Sequence, residues 1–168
     1  MKHKITDNFL SKEEFSQVKS IMIDESRLPW YFNDFVLSKN EDKGEEWQFT
    51  HTFFNNWRWQ SDYSIDIAPL IDKINPKAWL RIKANLGVKS NSIREQGWHT
   101  DYDFPCTTAV FYLNDNDGYT IFEDGTKVES KANRLVEFDS QYKHSGTTHT
   151  DTVKRVVINL NYIKDGGK

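Results

Sequence analysis

Two histidines and an aspartate are the residues of this sequence best suited to hold a metal ion. His99 and Asp101 are one residue apart in "GWHTDYDFP", residues 97–105, and His144 stands in "YKHSG". In an extended segment, residues i and i+2 point to the same side, so both side chains of the first motif can reach one ion. Two neutral imidazoles and a carboxylate suit Fe(II) and leave coordination positions open. Asp103 continues the alternation and is the rival to Asp101 as carboxylate ligand.

The other three of the five histidines are weaker candidates as metal ligands. His3 is close to the N-terminus. His51, in the aromatic segment "WQFTHTFF", is expected to be packed or hydrogen-bonded. His149, in "GTTHTD", is expected at the tip of a hairpin and therefore exposed to solvent. His144 is thus the best distal partner for the motif of residues 97–105.

Arg155, in "KRVVINLNY", is a candidate anion-binding residue. It is expected on the return strand of the hairpin that begins after His144, where Val157 and Asn159 share its face. The strand is otherwise strongly apolar, so an arginine that faces inward needs an anion. A guanidinium pairs with a carboxylate through two hydrogen bonds. A dicarboxylate co-substrate could therefore chelate the metal at one end and meet Arg155 at the other.

The order of these motifs resembles a known enzyme family. "HTD", "KHSG" and "KRVVINLNY" are similar to the motifs of the 2-oxoglutarate- and Fe(II)-dependent oxygenases. The match is best to the prolyl-4-hydroxylase-like branch and its small stand-alone members from bacteria and bacteriophages. "FYLND", "GYTIFEDGTKV", "NRLVEFDS" and "HSGT" also resemble successive strands of that family's double-stranded β-helix. The resemblance covers residues 79–163, and two preceding helices are also usual in the family.

This resemblance implies a site and a reaction. His99, Asp101 and His144 would hold Fe(II), and Arg155 would bind the distal carboxylate of 2-oxoglutarate. The chain would then be a dioxygenase, in the first instance a hydroxylase. It would consume O2, convert 2-oxoglutarate to succinate and CO2, and oxygenate a substrate.

Three further residues are candidates for binding the co-substrate. Some relatives have a tyrosine at the first aromatic of the "FYLN" strand. Here Phe111 occupies that position and Tyr112 follows, so either the hydroxyl is missing or the register differs by one. Asn85 and Asn159 either hydrogen-bond the co-substrate or substrate, or are satisfied by neighbouring polar groups.

Asn133 replaces a glycine that relatives often have just before the strand that begins at Arg134, and asparagine tolerates the left-handed conformation.

The substrate is left open by the sequence. Residues 30–63 hold eleven of the 24 aromatic residues, for which packing is the default explanation. The alternative is that Trp57, Arg58 and Trp59 rim a substrate pocket and stack on a flat ring or a proline-containing peptide. The charged segment 38–46 is a candidate lid. A peptide, an amino acid, a nucleobase or a sugar all fit, because a shared scaffold does not transfer a substrate.

The elements that must position these residues are two helices followed by strands. "NFLSKEEFSQVKSIMIDE" predicts a helix that opens with a capping box of Ser11 and Glu14. "IDIAPLIDKI" predicts a second helix with Pro69 in its first turn. From residue 79 onward, short strands alternate with turns, as in a sandwich or barrel. We expect one α+β domain, residues 1–168, with a jelly-roll double-stranded β-helix core at about 79–163 and the helices packed on one sheet.

The composition argues against several classes of protein. The net charge of −3 argues against nonspecific nucleic-acid binding. A single cysteine, Cys106, excludes a disulfide within the chain and favours a reducing cytoplasm, and it is expected to act as a small core hydrophobe. No segment is typical of a membrane span. The alternative functions are a non-catalytic β-helix that binds a small acid or sugar, and a cupin-like metal isomerase, neither of which needs Arg155 beside three ligands.

Overall fold

The computed structural model of the chain describes residues 3–25, 27–36 and 47–164. The candidate lid at residues 38–46 lies outside the described residues, as do residues 165–168 of the tail 164–168, which its glycines and terminal position predict to be frayed. The described strands are β1 (His3–Thr6), β2 (Tyr31–Asn33), β3 (Gln48–Asn55), β4 (Arg58–Trp59), β5 (Ala78–Val88), β6 (Thr107–Tyr112), β7 (Tyr119–Phe122), β8 (Lys127–Glu129), β9 (Arg134–Asp139), β10 (His144–Gly146) and β11 (Lys154–Ile163). The described α-helices are α1 (Lys12–Lys19) and α2 (Ala68–Ile74).

Both helices begin as the sequence predicts. The capping box is formed, since the Ser11 amide donates to Glu14 Oε2 at 2.8 Å and the Glu14 amide donates to Ser11 Oγ at 3.2 Å. A π-helical turn, Ser20–Asp24, continues α1. Pro69 lies in the first turn of α2, where its missing N–H has no partner to lose.

The strands form two antiparallel sheets. The major sheet has the order β1-β9-β6-β11-β5-β3-β2, with β4 paired to β3, and the minor sheet has the order β10-β7-β8. This is the double-stranded β-helix of the predicted α+β class, with helices on one face of the major sheet. The major sheet extends beyond the predicted core at 79–163, because β1 pairs with β9 and β3 pairs with β5.

Alternating residues of the major sheet build two separate cores. On its outer face, β6 places Phe111 in the core that α1 and α2 complete with Val18 and Leu70. On its inner face, β6 places Val110 and Tyr112 against the minor sheet. A side-chain period of two is what separates these layers. The inner face therefore carries both the second core and any pocket between the sheets.

The predicted hairpin joining His144 to Arg155 is wrong. β10 pairs with β7 in the minor sheet, whereas β11 lies between β5 and β6 in the major sheet. The connecting residues, 147–153, cross from one sheet to the other. The prediction of an exposed His149 is wrong for the same reason. His149 is buried, with Nε2 3.1 Å from the Thr152 carbonyl, because its segment crosses between the sheets and does not form the tip of a hairpin.

Two special backbone positions match the sequence predictions. β7 and β8 form a hairpin, as the turn-forming pair of Asp124 and Gly125 predicts, with Gly125 at a φ of 83° in its turn. Asn133 has a φ of 61°, the left-handed conformation. Its side chain also accepts from the Leu10 amide and donates to the Leu10 carbonyl, both at 2.9 Å. Among the described residues, no helix is long and apolar enough to span a membrane.

Candidate metal centre and its pocket

His99, Asp101 and His144 meet at one point between the two sheets. Each offers a ligand atom, and the three atoms lie within 4.8 Å of one another. The backbones of the two histidines exchange both hydrogen bonds, each at 3.0 Å. The Asp101 amide donates to the Ser140 carbonyl at 3.0 Å. Main-chain hydrogen bonds therefore fix the position of all three residues.

Both imidazoles turn the same nitrogen toward the cluster. His144 Nδ1 lies 3.0 Å from the Tyr142 carbonyl, and His99 Nδ1 lies 3.1 Å from the Gly97 carbonyl. A carbonyl can only accept, so Nδ1 carries the proton and Nε2 keeps its lone pair. This is the arrangement by which proteins orient metal-binding histidines. Burial and the neighbouring His99 lower the pKa of His144, which favours the neutral, metal-binding form.

The carboxylate of Asp101 is buried and fully hydrogen-bonded. Arg81 Nη2 donates to Oδ1 at 3.0 Å, while Thr108 Oγ1 and Asn161 Nδ2 donate to Oδ2 at 2.8 and 2.9 Å. Burial acts to raise the pKa of Asp101. The Arg81 charge and the hydrogen bonds outweigh it and lower the pKa to about 2. The carboxylate is therefore ionised and held in one orientation.

Sequence reasoning missed the residues that hold this carboxylate. Arg81, Thr108 and Asn161 come from β5, β6 and β11, which are neighbours only in the folded sheet. The available signal was alternation, since Asn161 follows Asn159 by two residues in an otherwise apolar strand. Asp103, the rival carboxylate, is exposed and lies outside the cluster.

The cluster forms one wall of a cavity of about 340 Å³. The described lining residues include His99, Asp101, His144 and Gly146 on one side and Arg81, Lys83, Asn85, Arg155, Val157 and Asn159 on the major sheet. The predicted metal ligands and the predicted anion-binding arginine thus line the same cavity. Its size is within the range of small-molecule sites.

Arg155 lies in the cavity without an acidic partner among the described residues. Its Nε donates to Ser130 Oγ at 3.0 Å, and its guanidinium carbon is 5.8 Å from the centre of the Tyr112 ring. Burial lowers the pKa of the guanidinium. A Cβ on Gly118 would lie 3.1 Å from Arg155 Cδ, so glycine leaves room for the stem of the arginine.

The three further co-substrate candidates have different surroundings. Asn85 and Asn159 line the cavity, and Asn85 Oδ1 is buried without a hydrogen-bond partner in the described chain. Tyr112 faces the minor sheet, with its hydroxyl 2.7 Å from Thr120 Oγ1, and Thr120 lines the cavity. Phe111 instead packs with the helices, so Tyr112 is the aromatic of the "FYLN" strand on the cavity side.

The structure does not bring the candidate rim residues to this cavity. Trp57 lies in the exposed turn between β3 and β4, Arg58 and Trp59 form β4, and none of the three lines the cavity. Trp59 packs on Phe54 at 5.0 Å between ring centres.

Two other sequence expectations concern residues outside the cavity. His51 is buried, with Nδ1 2.7 Å from the Pro29 carbonyl and Nε2 2.7 Å from Ser61 Oγ, as expected for a packed histidine. Cys106 is half-buried, so it is not the fully buried core residue that the sequence suggested.

Comparison with known proteins finds solved structures with a similar fold. No family model and no curated protein matches the chain significantly. Among solved structures, the chain is similar to an oxidoreductase of the 2OG-Fe(II) oxygenase family from Burkholderia pseudomallei (13% identity, TM-score 0.70, covering 99% of this chain and 87% of that one). A prolyl hydroxylase from Trichoplax adhaerens, in complex with a hypoxia inducible factor peptide fragment, has 16% identity and a TM-score of 0.71, with 97% and 84% covered.

A third similar structure contains ligands. It is the epimerase SnoN in complex with Fe3+, alpha ketoglutarate and nogalamycin RO, at 12% identity and a TM-score of 0.66, with 97% of this chain and 79% of that chain covered. At these identities the similarity shows a shared fold. The chemistry of this chain must be argued from its own site.

Proposed function

We propose that this chain is a 2-oxoglutarate- and Fe(II)-dependent dioxygenase that hydroxylates its substrate. One observation carries the proposal: a cluster of two imidazoles and one carboxylate shares a cavity with a partly buried arginine that no described acid neutralises. A metal-binding module without a dicarboxylate ligand would have no use for that arginine. A guanidinium matches a carboxylate with two hydrogen bonds.

The donor set fits the proposed metal and co-substrate. His99 and His144 would bind Fe(II) through Nε2 and Asp101 through its carboxylate, a set that leaves positions open for other ligands. Arg155 would bind the distal carboxylate of 2-oxoglutarate. Asn85 also lines the cavity, and its Oδ1, which has no hydrogen-bond partner in the described chain, can accept a hydrogen bond from a donor group of the substrate.

When bound, Fe(II) and O2 supply the oxidative decarboxylation of 2-oxoglutarate to succinate and CO2, coupled to oxygenation of the substrate. The residues of the chain do the positioning. Arg81, Thr108 and Asn161 keep Asp101 ionised and oriented. Val110 and Val157 line the cavity and limit the water near the reacting atoms.

The proposal also covers the branch of the family, the cellular location and the substrate. The prolyl hydroxylase from Trichoplax adhaerens supports the prolyl-4-hydroxylase-like branch. Membership of the small bacterial and bacteriophage group stays a prediction based on the sequence motifs. So does a cytoplasmic location, which rests on the single cysteine. A peptide or a small molecule, including an amino acid, a nucleobase or a sugar, fits as substrate.

Uncoupled turnover tests the proposal without knowledge of the substrate. Wild type, His144→Ala and the control His3→Ala are each incubated with Fe(II), 2-oxoglutarate and O2, and succinate is quantified. His3 is a histidine outside the cluster. We expect succinate from wild type and His3→Ala and at least about a hundredfold less from His144→Ala. Equal succinate from His144→Ala would contradict the proposal.

A further inference from the structure

Lys83 is a cation that the proposed function does not use. On β5, Arg81, Lys83 and Asn85 line the cavity, while Ile82 and Ala84 alternate with them and belong to the core under the helices. Lys83 lies opposite Asn159 of β11 and opposite Thr52 of β3. A lysine at such a position extends its ammonium into the cavity between two neutral polar neighbours.

The other charges of the cavity have partners. Arg81 pairs with Asp101, which is the only acidic residue among the described lining residues. Arg155 is assigned to the distal carboxylate of 2-oxoglutarate. The ammonium of Lys83 makes no ion pair or hydrogen bond with any described residue.

This unpaired charge is costly unless a ligand neutralises it. Burial and the charge of Arg81 lower the pKa of Lys83, Asp101 acts in the opposite direction, and the resulting pKa is about 8. A charged group withdrawn from water without a partner destabilises the protein. An apolar residue would cost less at this position, so the lysine points to an anion that binds there.

Position separates this anion from the co-substrate. Both carboxylates of 2-oxoglutarate are already assigned, one to the metal and one to Arg155. The minor sheet covers the inner faces of β6, β9 and β11, where the second core lies. Lys83 lies beyond that cover, on β5 beside β3, where Gln48 and Asn85 also line the cavity. That side of the cavity is left for the substrate.

We infer that the substrate carries a carboxylate, and that Lys83 binds it on the β3 side of the cavity beside Asn159, with Thr52 as the neighbour of Lys83 on β3. The inference rests on the proposed function and names the class of its substrate. One ammonium with two neutral neighbours suits a singly charged group. A phosphate dianion would call for a second free cation, and Arg81 and Arg155 are both engaged.

Matched acids and amides test the inference. The protein is loaded with Zn(II) in place of Fe(II), to prevent turnover, and saturated with 2-oxoglutarate. The probes are N-acetylated proline, leucine, phenylalanine and glutamine, each as the free acid and as the primary amide. Dissociation constants are measured by ligand-observed NMR for wild type, Lys83→Met, Lys83→Arg and Lys77→Met. Lys77 is an exposed lysine just before β5 and serves as the charge control.

We expect at least one acid to bind wild type about tenfold more tightly than its amide. Lys83→Met should lose that preference by weakening the acid alone, whereas Lys83→Arg and Lys77→Met should keep it. If no acid binds more tightly than its amide, or if the preference survives in Lys83→Met, the inference is wrong.

The affinity for 2-oxoglutarate, measured in the same samples, separates the two proposals. If wild type does not bind 2-oxoglutarate, the proposed function fails. If Lys83→Met weakens 2-oxoglutarate about tenfold, Lys83 is a co-substrate residue and only the inference is overturned. Unchanged 2-oxoglutarate binding with a lost acid preference supports both.

Discussion

His99 and His144 are joined by a reciprocal pair of backbone hydrogen bonds. Each amide donates to the other's carbonyl at 3.0 Å, and the ring centres are 4.5 Å apart. The pair is an isolated bridge between the segment that precedes Asp101 and the end of the minor sheet. Because main-chain atoms carry the bridge, the two imidazoles are held close together without a metal. Such preorganisation lowers the cost of assembling a metal site.

Removal of the Thr108 hydroxyl is expected to weaken metal binding. Thr108→Val deletes the donor to Asp101 Oδ2 and keeps the shape of the side chain. Loss of a residue that orients a metal ligand typically costs ten- to a hundredfold in affinity, and we expect about tenfold here. The matched control is Thr107→Val, the neighbouring threonine that does not contact Asp101. Isothermal titration with Fe(II) under anaerobic conditions measures both. Equal affinities for the two variants would contradict this role of Thr108.

Removal of the Tyr112 hydroxyl is expected to weaken 2-oxoglutarate binding. The hydroxyl of the buried Tyr112 bonds Thr120 Oγ1, and Thr120 and Arg155 both line the cavity, so Tyr112→Phe removes the contact that orients Thr120 at the end of the cavity that receives the distal carboxylate. We expect the dissociation constant to rise about five- to tenfold. Tyr162→Phe is the control, because it deletes a hydroxyl that donates to Glu137 at 2.6 Å, outside the cavity. A larger effect of Tyr162→Phe than of Tyr112→Phe on 2-oxoglutarate affinity would refute the assignment.

Asn133 is expected to stabilise the fold through both its conformation and its side chain. Asn133→Gly keeps the left-handed backbone accessible but loses two hydrogen bonds to Leu10, and should cost about 1–2 kcal/mol. Asn133→Ala loses the same bonds and also strains the backbone, for about 1 kcal/mol more. Urea unfolding of the three proteins measures the free energies. Equal stability of the two variants would show that the backbone conformation contributes nothing.

Asp7 is expected to stabilise the protein in a pH-dependent way. Hydrogen bonds from Arg134 and Lys131 hold the pKa of Asp7 well below its ordinary value. Its contribution is therefore complete above the unfolded pKa of about 3.9 and is lost as pH falls toward the folded value. Asp7→Asn should cost about 1 kcal/mol at pH 7, because the pair is partly exposed, and less at pH 3.

Urea unfolding of wild type and Asp7→Asn at both pH values measures that difference. Asp24→Asn, which breaks a single exposed ion pair with Lys19, should have little effect at either pH. A cost of Asp7→Asn that is the same at pH 7 and pH 3 would contradict the account.

Structural features that depend on short stretches of sequence could be predicted from the sequence. Ser11 and Glu14 formed their capping box because it depends on residues close in the chain, and Asn133 took the left-handed conformation because asparagine tolerates it. The one-residue gap between His99 and Asp101 likewise sets both side chains near one point.

Long-range register was beyond that reasoning. Arg81 meets Asp101 across 20 residues, and Asn161 meets it across 60, only because β5 and β11 are paired in one particular register. The prediction of a hairpin at residues 147–153, which instead cross from one sheet to the other, was wrong for a similar reason. A short polar segment between two strands predicts a hairpin turn, whether the two strands pair with each other or belong to different sheets.

The most direct test of the central claim is an anaerobic titration of metal-free protein with Fe(II) and then 2-oxoglutarate. The visible charge-transfer band of the chelated keto acid is followed in wild type, His144→Ala and Arg155→Ala. We predict a band in wild type, no band in His144→Ala, and a band in Arg155→Ala that needs at least about tenfold more 2-oxoglutarate. A wild-type protein that binds Fe(II) but shows no band at any 2-oxoglutarate concentration would contradict the central claim.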